Sequence, residues 1–205
     1  LIAKFYRPER WSTEQILEEH TFTQELADLE IPVVPPLKLG ESTLDEFAGF
    51  RFSLFPRRGG RSPDLNLDNL LIMGRFIGRL HAAGAIKPFQ TRRNLTVGYF
   101  AEDSASFLLR ADFIPANLRE AYQSLTADLI KRIHAVFSET SSPAQIRIHG
   151  DCHMGNVLWR DDTPHFVDFD DTMQGPAIQD LWMLFSGDRQ TQLAQLSELI
   201  EGYNE

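Results

Sequence analysis

The chain is short of the features that would set it apart from ordinary globular proteins. It has one cysteine, Cys152, so no internal disulfide can form, and a reducing compartment such as the cytoplasm is expected. No apolar run approaches the ~20 residues of a helical membrane span, and no signal-peptide pattern opens the chain, so no membrane partner is expected. Positive charge is scarce, with 20 Lys and Arg against 29 Asp and Glu and a net charge of −9. No basic face compensates, which argues against nucleic acid as a partner. Internal repeats and low-complexity tracts are missing as well. What remains is 205 residues, 42% hydrophobic and 24% charged, enough for one good core or two small lobes.

One stretch carries the chemistry. His149-Gly150-Asp151 is followed by Asn156, five residues after the aspartate, and Asp168-Phe169-Asp170-Asp171 begins twelve residues further on. Protein kinases write their catalytic loop H-R-D-x-x-x-x-N and their metal site D-F-G. Phosphoryl transfer needs a carboxylate to orient the attacking hydroxyl and take its proton, and hard oxygen ligands for Mg2+. Asp151 suits the first task; Asn156 and Asp168 suit the second. Gln145 to Ile148 alternates polar and apolar and predicts a short strand that delivers His149 and Asp151 to its end. Val157 to Trp159 and His165 to Val167 predict a hairpin turning at Asp161-Asp162-Thr163-Pro164, which sets Asn156 beside Asp168. A rival chemistry shares these residues. His149, Asp151 and His153 alternate and could ligate a hydrolytic metal, although His20, His81, His134 and His165 add no second ligand motif. Cys152, next to Asp151, reads as a small buried residue with an inert thiol, with oxidative inhibition as the alternative.

These residues resemble the aminoglycoside phosphotransferase and choline kinase superfamily, in which Gly stands where protein kinases have the Arg of H-R-D. Within it the likeness is strongest to serine/threonine protein kinases of the bacterial stress response. Lys4 to Trp11, Gln15 to His20 and Gly175 to Leu184 all look like segments of that group. The likeness runs across nearly the whole chain. It implies ATP and Mg2+ as cofactors, a two-lobed fold, and a hinge near Phe55 whose backbone meets adenine. It also implies that Asp180 is a buried carboxylate accepting hydrogen bonds from the backbone around His149 and Gly150. Read by itself, Asp180 is equally a charge favoured at a helix N-terminus.

Leu1 to Tyr6 predicts a strand carrying Lys4, and Ser12-Thr13-Glu14-Gln15 is a capping-box start for a helix. Kinase-like folds hold a strand Lys on the phosphates with a helix Glu. Glu19 projects near the apolar face of Ile16, Phe22, Leu26 and Leu29, and Glu18 is rotated about 100° away; Glu19 is the choice and Glu18 the alternative. Phe47 to Phe55 is an aromatic strand region ending in the breaker-rich Pro56 to Arg61. Asp68 can cap a helix ending at Gly84, and residues 115–137 predict a long amphipathic helix; together these two should floor the catalytic loop. His81 reads as structural, and residues 88–114 as irregular.

The expectation is therefore an α+β, protein-kinase-like two-lobed fold. Residues 1–56 would be a partial N-terminal lobe, and residues 57–205 a mainly helical C-terminal lobe holding the catalytic loop. Both ends read as cut, since the chain opens inside a strand pattern and stops inside a helical one. The expected activity is ATP-dependent transfer of phosphate to a hydroxyl. Asp151 is the base, Lys4, Glu19 and Phe55 serve the nucleotide, and Asn156 and Asp168 serve the metal. The expected acceptor is protein Ser or Thr. Alternatives are a small-molecule hydroxyl, as in aminoglycoside, choline or homoserine kinases, and nucleotide binding without catalysis. The full-length protein is expected to be a monomer.

Overall fold

A computed structural model describes residues 1–139 and 143–205. Its contacts group the chain into two compact units, Leu1–Arg93 with Ile146–Glu205, and Asn94–Gln145.

The first unit opens on a three-stranded antiparallel sheet of order β1-β3-β2, made of β1 (Ile2–Phe5), β2 (Asp45–Phe47) and β3 (Phe50–Phe55). Its register sets Lys4 opposite Ser53 and Ile2 opposite Phe55. Between β1 and β2 runs α1 (Thr13–Asp28), whose start is the predicted capping box, with Ser12 and Gln15 bonded reciprocally. The helix buries Ile16, Glu19, His20, Phe22, Thr23 and Leu26, an inward stripe at three- and four-residue spacing. It ends where Glu30 turns left-handed (φ 57°) and Ile31 N–H bonds back to Leu26 O.

α2 (Leu67–Gly84) starts two residues earlier than expected. Asn66, not Asp68, is the N-cap, accepting the Asn69 N–H at 2.8 Å; Asp68 sits inside the first turn. α2 packs along α6 (Arg189–Tyr203). The two helices approach closely because Gly74 faces the Leu199 carbonyl and Gly202 faces the Leu71 carbonyl, where a methyl group would collide with backbone. Between these helices and α1, the chain buries Phe22, Leu26, Met73, Ile77, Phe166 and Leu199 in one continuous core.

The strand and hairpin expected around His149-Gly150-Asp151 are present, except that the second hairpin strand begins at Thr163, so Thr163 and Pro164 are strand and not turn. β4 (Ile146–Ile148) pairs antiparallel with β7 (Met173–Gly175). β5 (Val157–Arg160) and β6 (Thr163–Phe166) form the hairpin, with Val157 opposite Phe166 and Arg160 opposite Thr163. Its turn uses Asp161 and Asp162, both left-handed at φ 50° and 55°, the mirror turn that suits a twisted hairpin and that Asp tolerates. A short helix, α5 (Ile178–Leu181), follows β7. Among the described residues no helix is long and apolar enough to cross a membrane.

The second unit holds a π-helical turn (Gly98–Asp103), α3 (Ser104–Arg110) and α4 (Arg119–Glu139). His134 bonds Glu102 at 2.8 Å within it. No side chain of α4 is buried among the described residues, so its apolar stripe of Leu125, Leu129, Ile133 and Val136 is exposed.

Candidate active site

The loop after β4 is pinned from beneath. Asp180 of α5 is fully buried and its two oxygens accept the backbone N–H groups of His149 (2.7 Å) and Gly150 (2.8 Å). His81 of α2 approaches the same carboxylate at 3.0 Å and is itself bonded to the Tyr203 hydroxyl at 2.9 Å. Gly150 adopts φ 87°, and a Cβ there would press on the backbone of Asp171. Two constraints thus demand glycine where protein kinases place arginine. His149 is buried beside the Phe169 ring. Its Nε2 donates to Val167 O at 2.9 Å, and its Nδ1 accepts the Asp151 N–H at 3.3 Å. Both ring nitrogens are spent within the protein, which leaves His149 no lone pair for the hydrolytic metal considered from sequence. His153 turns its Nδ1 to the Gly155 N–H instead.

Asp151 emerges from this support with its side chain 42% exposed. Asn156 Nδ2 donates to the Asp151 carbonyl at 2.9 Å and to its carboxylate at 3.3 Å. That leaves Asn156 Oδ1 as the amide atom able to meet a cation. The Val167 N–H bonds Asn156 O, so the hairpin carries Asp168 to the flank of Asn156 as the sequence predicted. Asp168 is left-handed at φ 61°, which turns the chain into a tight 3-10 turn over Phe169–Asp171. One carboxylate and one amide oxygen fit a hard cation that draws its remaining ligands from phosphate and water.

Lys4, Glu19, Phe55 and Asp168 line one cavity of about 360 Å³, whose other walls include Val34, Leu158 and Val167. Apolar walls with a charged end fit a planar base with phosphates beyond it. Lys4 does not pair with Glu19 within 4.0 Å, contrary to the expected ion pair. Its ammonium sits 2.7 Å from Asp168 and 3.2 Å from Asp170. Two carboxylates beside partly open solvent outcompete one that is buried. Burial alone would pull Lys4 down, but Glu19, Asp170 and Asp168 together hold its pKa above the ordinary value. Lys4 in turn keeps Asp168 below the ordinary range: burial opposes, and the ammonium more than offsets it.

Glu19 is the inward acid of the pair and Glu18 the outward one. Glu18 accepts the backbone N–H groups of Thr91 and Arg92, each at 2.9 Å, that of Gln90, and the Thr91 hydroxyl. Glu19 Oε2 is buried without a hydrogen-bond partner. Burial pushes its pKa up to about 7, against the pull of Lys4 and Arg92. Between the ordinary 4.5 and about 7, the fold holds a proton that the unfolded chain has released. Stability should therefore fall as pH rises through that window and level off above it. Glu19→Gln is expected to flatten this slope in denaturant titrations run across the window; an unchanged slope would mean that Glu19 is not its source. Burial also pushes the Cys152 thiol well above its ordinary range, which disfavours the reactive thiolate.

Three supporting residues escaped the sequence reading. Arg10 reaches Asp170 and Asp171, each at 2.6 Å. Arg92 donates to the carbonyls of Phe169, Asp170 and Thr172. Trp11 stacks under Arg92 at 4.2 Å. Arginines at the edge of an irregular stretch carry no sequence signal of such roles.

A strand, loop and hairpin that bring Asp151, Asn156 and Asp168 together, beside a cavity edged by a strand lysine, form the arrangement expected of a kinase-like fold. The chain belongs to the phosphotransferase enzyme (APH) family, whose model matches residues 1–205. It is 42% identical over 205 residues to stress response kinase A of Escherichia coli, covering 100% of this chain and 62% of the relative. The same figures hold for the serine/threonine protein kinase RdoA of Salmonella typhimurium. The chain thus spans somewhat under two thirds of the length of these curated relatives. Among solved structures, it is similar to amicoumacin kinase hAmiN in complex with AMP-PNP, Ca2+ and Ami (TM-score 0.77, 20% identity, 98% of this chain and 65% of that one). It also resembles a microcompartment-associated aminopropanol kinase (TM-score 0.68, 20% identity, 98% and 68%). These likenesses establish the α+β kinase-like fold.

Proposed function

We propose that this chain carries the catalytic centre of an ATP-dependent kinase that phosphorylates serine or threonine hydroxyls of proteins in the bacterial stress response. The observation that carries it is the half-exposed Asp151 carboxylate, set on a loop pinned by Asp180 and steadied by Asn156. Asp151 orients the acceptor hydroxyl and takes its proton. Asn156 Oδ1 and Asp168 would hold Mg2+, which when bound neutralises phosphate charge. Lys4 and Phe55 both line the cavity; in this reading Lys4 meets the phosphates and the backbone near Phe55 meets the base. In this reading residues 1–56 form a partial N-terminal lobe with nucleotide-binding strands and helix, and residues 57–205 the lobe with the catalytic loop. The likeness to a relative named as a serine/threonine protein kinase supports the protein acceptor.

A small-molecule hydroxyl is the second reading, favoured by structural neighbours named as kinases of amicoumacin and aminopropanol. Labelled ATP with cell extract separates the two. Label in protein supports the first, label in a metabolite the second, and nucleotide binding without transfer overturns both. The reading also takes the enzyme to be a cytoplasmic monomer, which fractionation and sedimentation would check.

Asp168→Ala tests the metal assignment. Calorimetry should show nucleotide affinity rising with Mg2+ in the wild type and no longer doing so in the variant. A retained Mg2+-dependent gain would remove Asp168 from the metal site.

A further inference from the structure

The metal loop poses an electrostatic problem. Asp168, Asp170 and Asp171 place three carboxylates within four residues, yet only one of them should take the cation. Carboxylates this close compete for any divalent ion and repel one another when it is absent. The geometry points to Arg10 as a positioning residue that assigns the cation to Asp168 by holding the other two carboxylates away from it. This inference rests on the nucleotide and metal site proposed above.

The arrangement supports that role at each contact. Arg10 Nη1 lies 2.6 Å from Asp170 Oδ2, and Arg10 Nη2 lies 2.6 Å from Asp171 Oδ1. A planar fork can bridge two carboxylates in fixed directions, which a lysine ammonium cannot do. The fork is itself braced, because the Arg10 guanidinium lies 5.5 Å from the Trp11 ring, with Arg92 against the same ring at 4.2 Å. Arg92 then fastens the loop backbone through the carbonyls of Phe169, Asp170 and Thr172. Asp170 is the less exposed of the pair, at 12% against 38% for Asp171. Asp168, at 55%, is the most open of the three and is met by Lys4 at 2.7 Å, not by the arginine fork. Lys4 also lies 3.2 Å from Asp170, so the fork is what sets Asp170 and Asp171 together apart from Asp168.

The signature is the coupling between metal and nucleotide. A cation on Asp168 shares its coordination with phosphate, so nucleotide should tighten it. A cation captured by Asp170 and Asp171 should ignore the nucleotide. Mn2+ serves as the probe, its binding followed by electron paramagnetic resonance with and without a non-hydrolysable ATP analogue. In the wild type the analogue should tighten Mn2+ binding, and Asp168→Ala should abolish that gain. Arg10→Gln should bind Mn2+ but lose at least tenfold of the coupling. Arg10→Lys, with charge but no fork, should fall between and guards against a Gln variant that fails to fold. Arg10→Gln combined with Asp170→Asn and Asp171→Asn should recover the coupling, because the competing acids are gone.

A residue that merely glues the corner between β1 and α1 to the loop would not be replaced by removing those acids, so lack of recovery overturns the positioning role. Full coupling in both Arg10→Gln and Arg10→Lys overturns it as well. A wild type without coupling, or coupling that survives Asp168→Ala, instead overturns the underlying metal site.

Discussion

Asp151→Asn should leave nucleotide and Mg2+ binding within about twofold of wild type and cut phosphate transfer by about 10²- to 10⁴-fold, the usual contribution of a positioned general base. Asn keeps the shape of the side chain and its hydrogen bond from Asn156 but cannot accept a proton. The support beneath Asp151 runs through backbone groups and Asp180, so the substitution leaves the loop in place. The measurement is turnover of the longer protein with labelled ATP, paired with calorimetric nucleotide affinity. Loss of binding in parallel with turnover would move Asp151 into the nucleotide site. Retained turnover would remove it from the reaction.

The largest stability loss is expected at Asp180. Its carboxylate is fully buried and receives two backbone N–H groups, with His81 as a third partner. Asp180→Ala would strand those donors in the interior, a change that costs about 3–5 kcal/mol when one member of a buried charged network is removed. Asp180→Asn keeps one acceptor oxygen and should lose distinctly less. Urea denaturation of both variants tests this. Equal and small losses would mean that water enters and satisfies the loop. The network also joins three chain segments, since His81 is on α2 and its other partner, Tyr203, is on α6.

What could be read from the sequence followed how local each signal was. The H-G-D to Asn spacing, the alternating strand before it and the Asp-Asp turn are fixed by neighbouring residues, and the hairpin delivered Asn156 to Asp168 as its turn composition required. The capping box at Ser12 was legible for the same reason. Between Asn66 and Asp68, two acceptable caps two residues apart, pattern alone could not decide. That α2 packs along α6 was not legible, because amphipathicity says that a helix packs but not on what; Gly74 and Gly202 let backbone meet backbone there. Lys4 was correctly placed in a strand, but its choice of Asp168 over Glu19 depends on relative burial, which a sequence does not display. Arg10 and Arg92 act on carbonyls and carboxylates about 80 to 160 positions away, so nothing in their own neighbourhood announced them.

The opposed directions of Glu18 and Glu19 have a mechanical consequence. Neighbouring residues on one helix cannot turn independently, so α1 behaves as a spindle with an arm on each side. One arm reaches into the cavity that holds Lys4; the other grips the amides of residues 90 to 92. Arg92 passes that grip on to the metal loop. A rotation of α1 that carries Glu19 toward Lys4 must therefore pull on the strap holding Asp170, and a shift of the metal loop must torque the helix in return. The cavity wall at Glu19 and the turn over Phe169–Asp171 are in this way geared together by a single turn of helix.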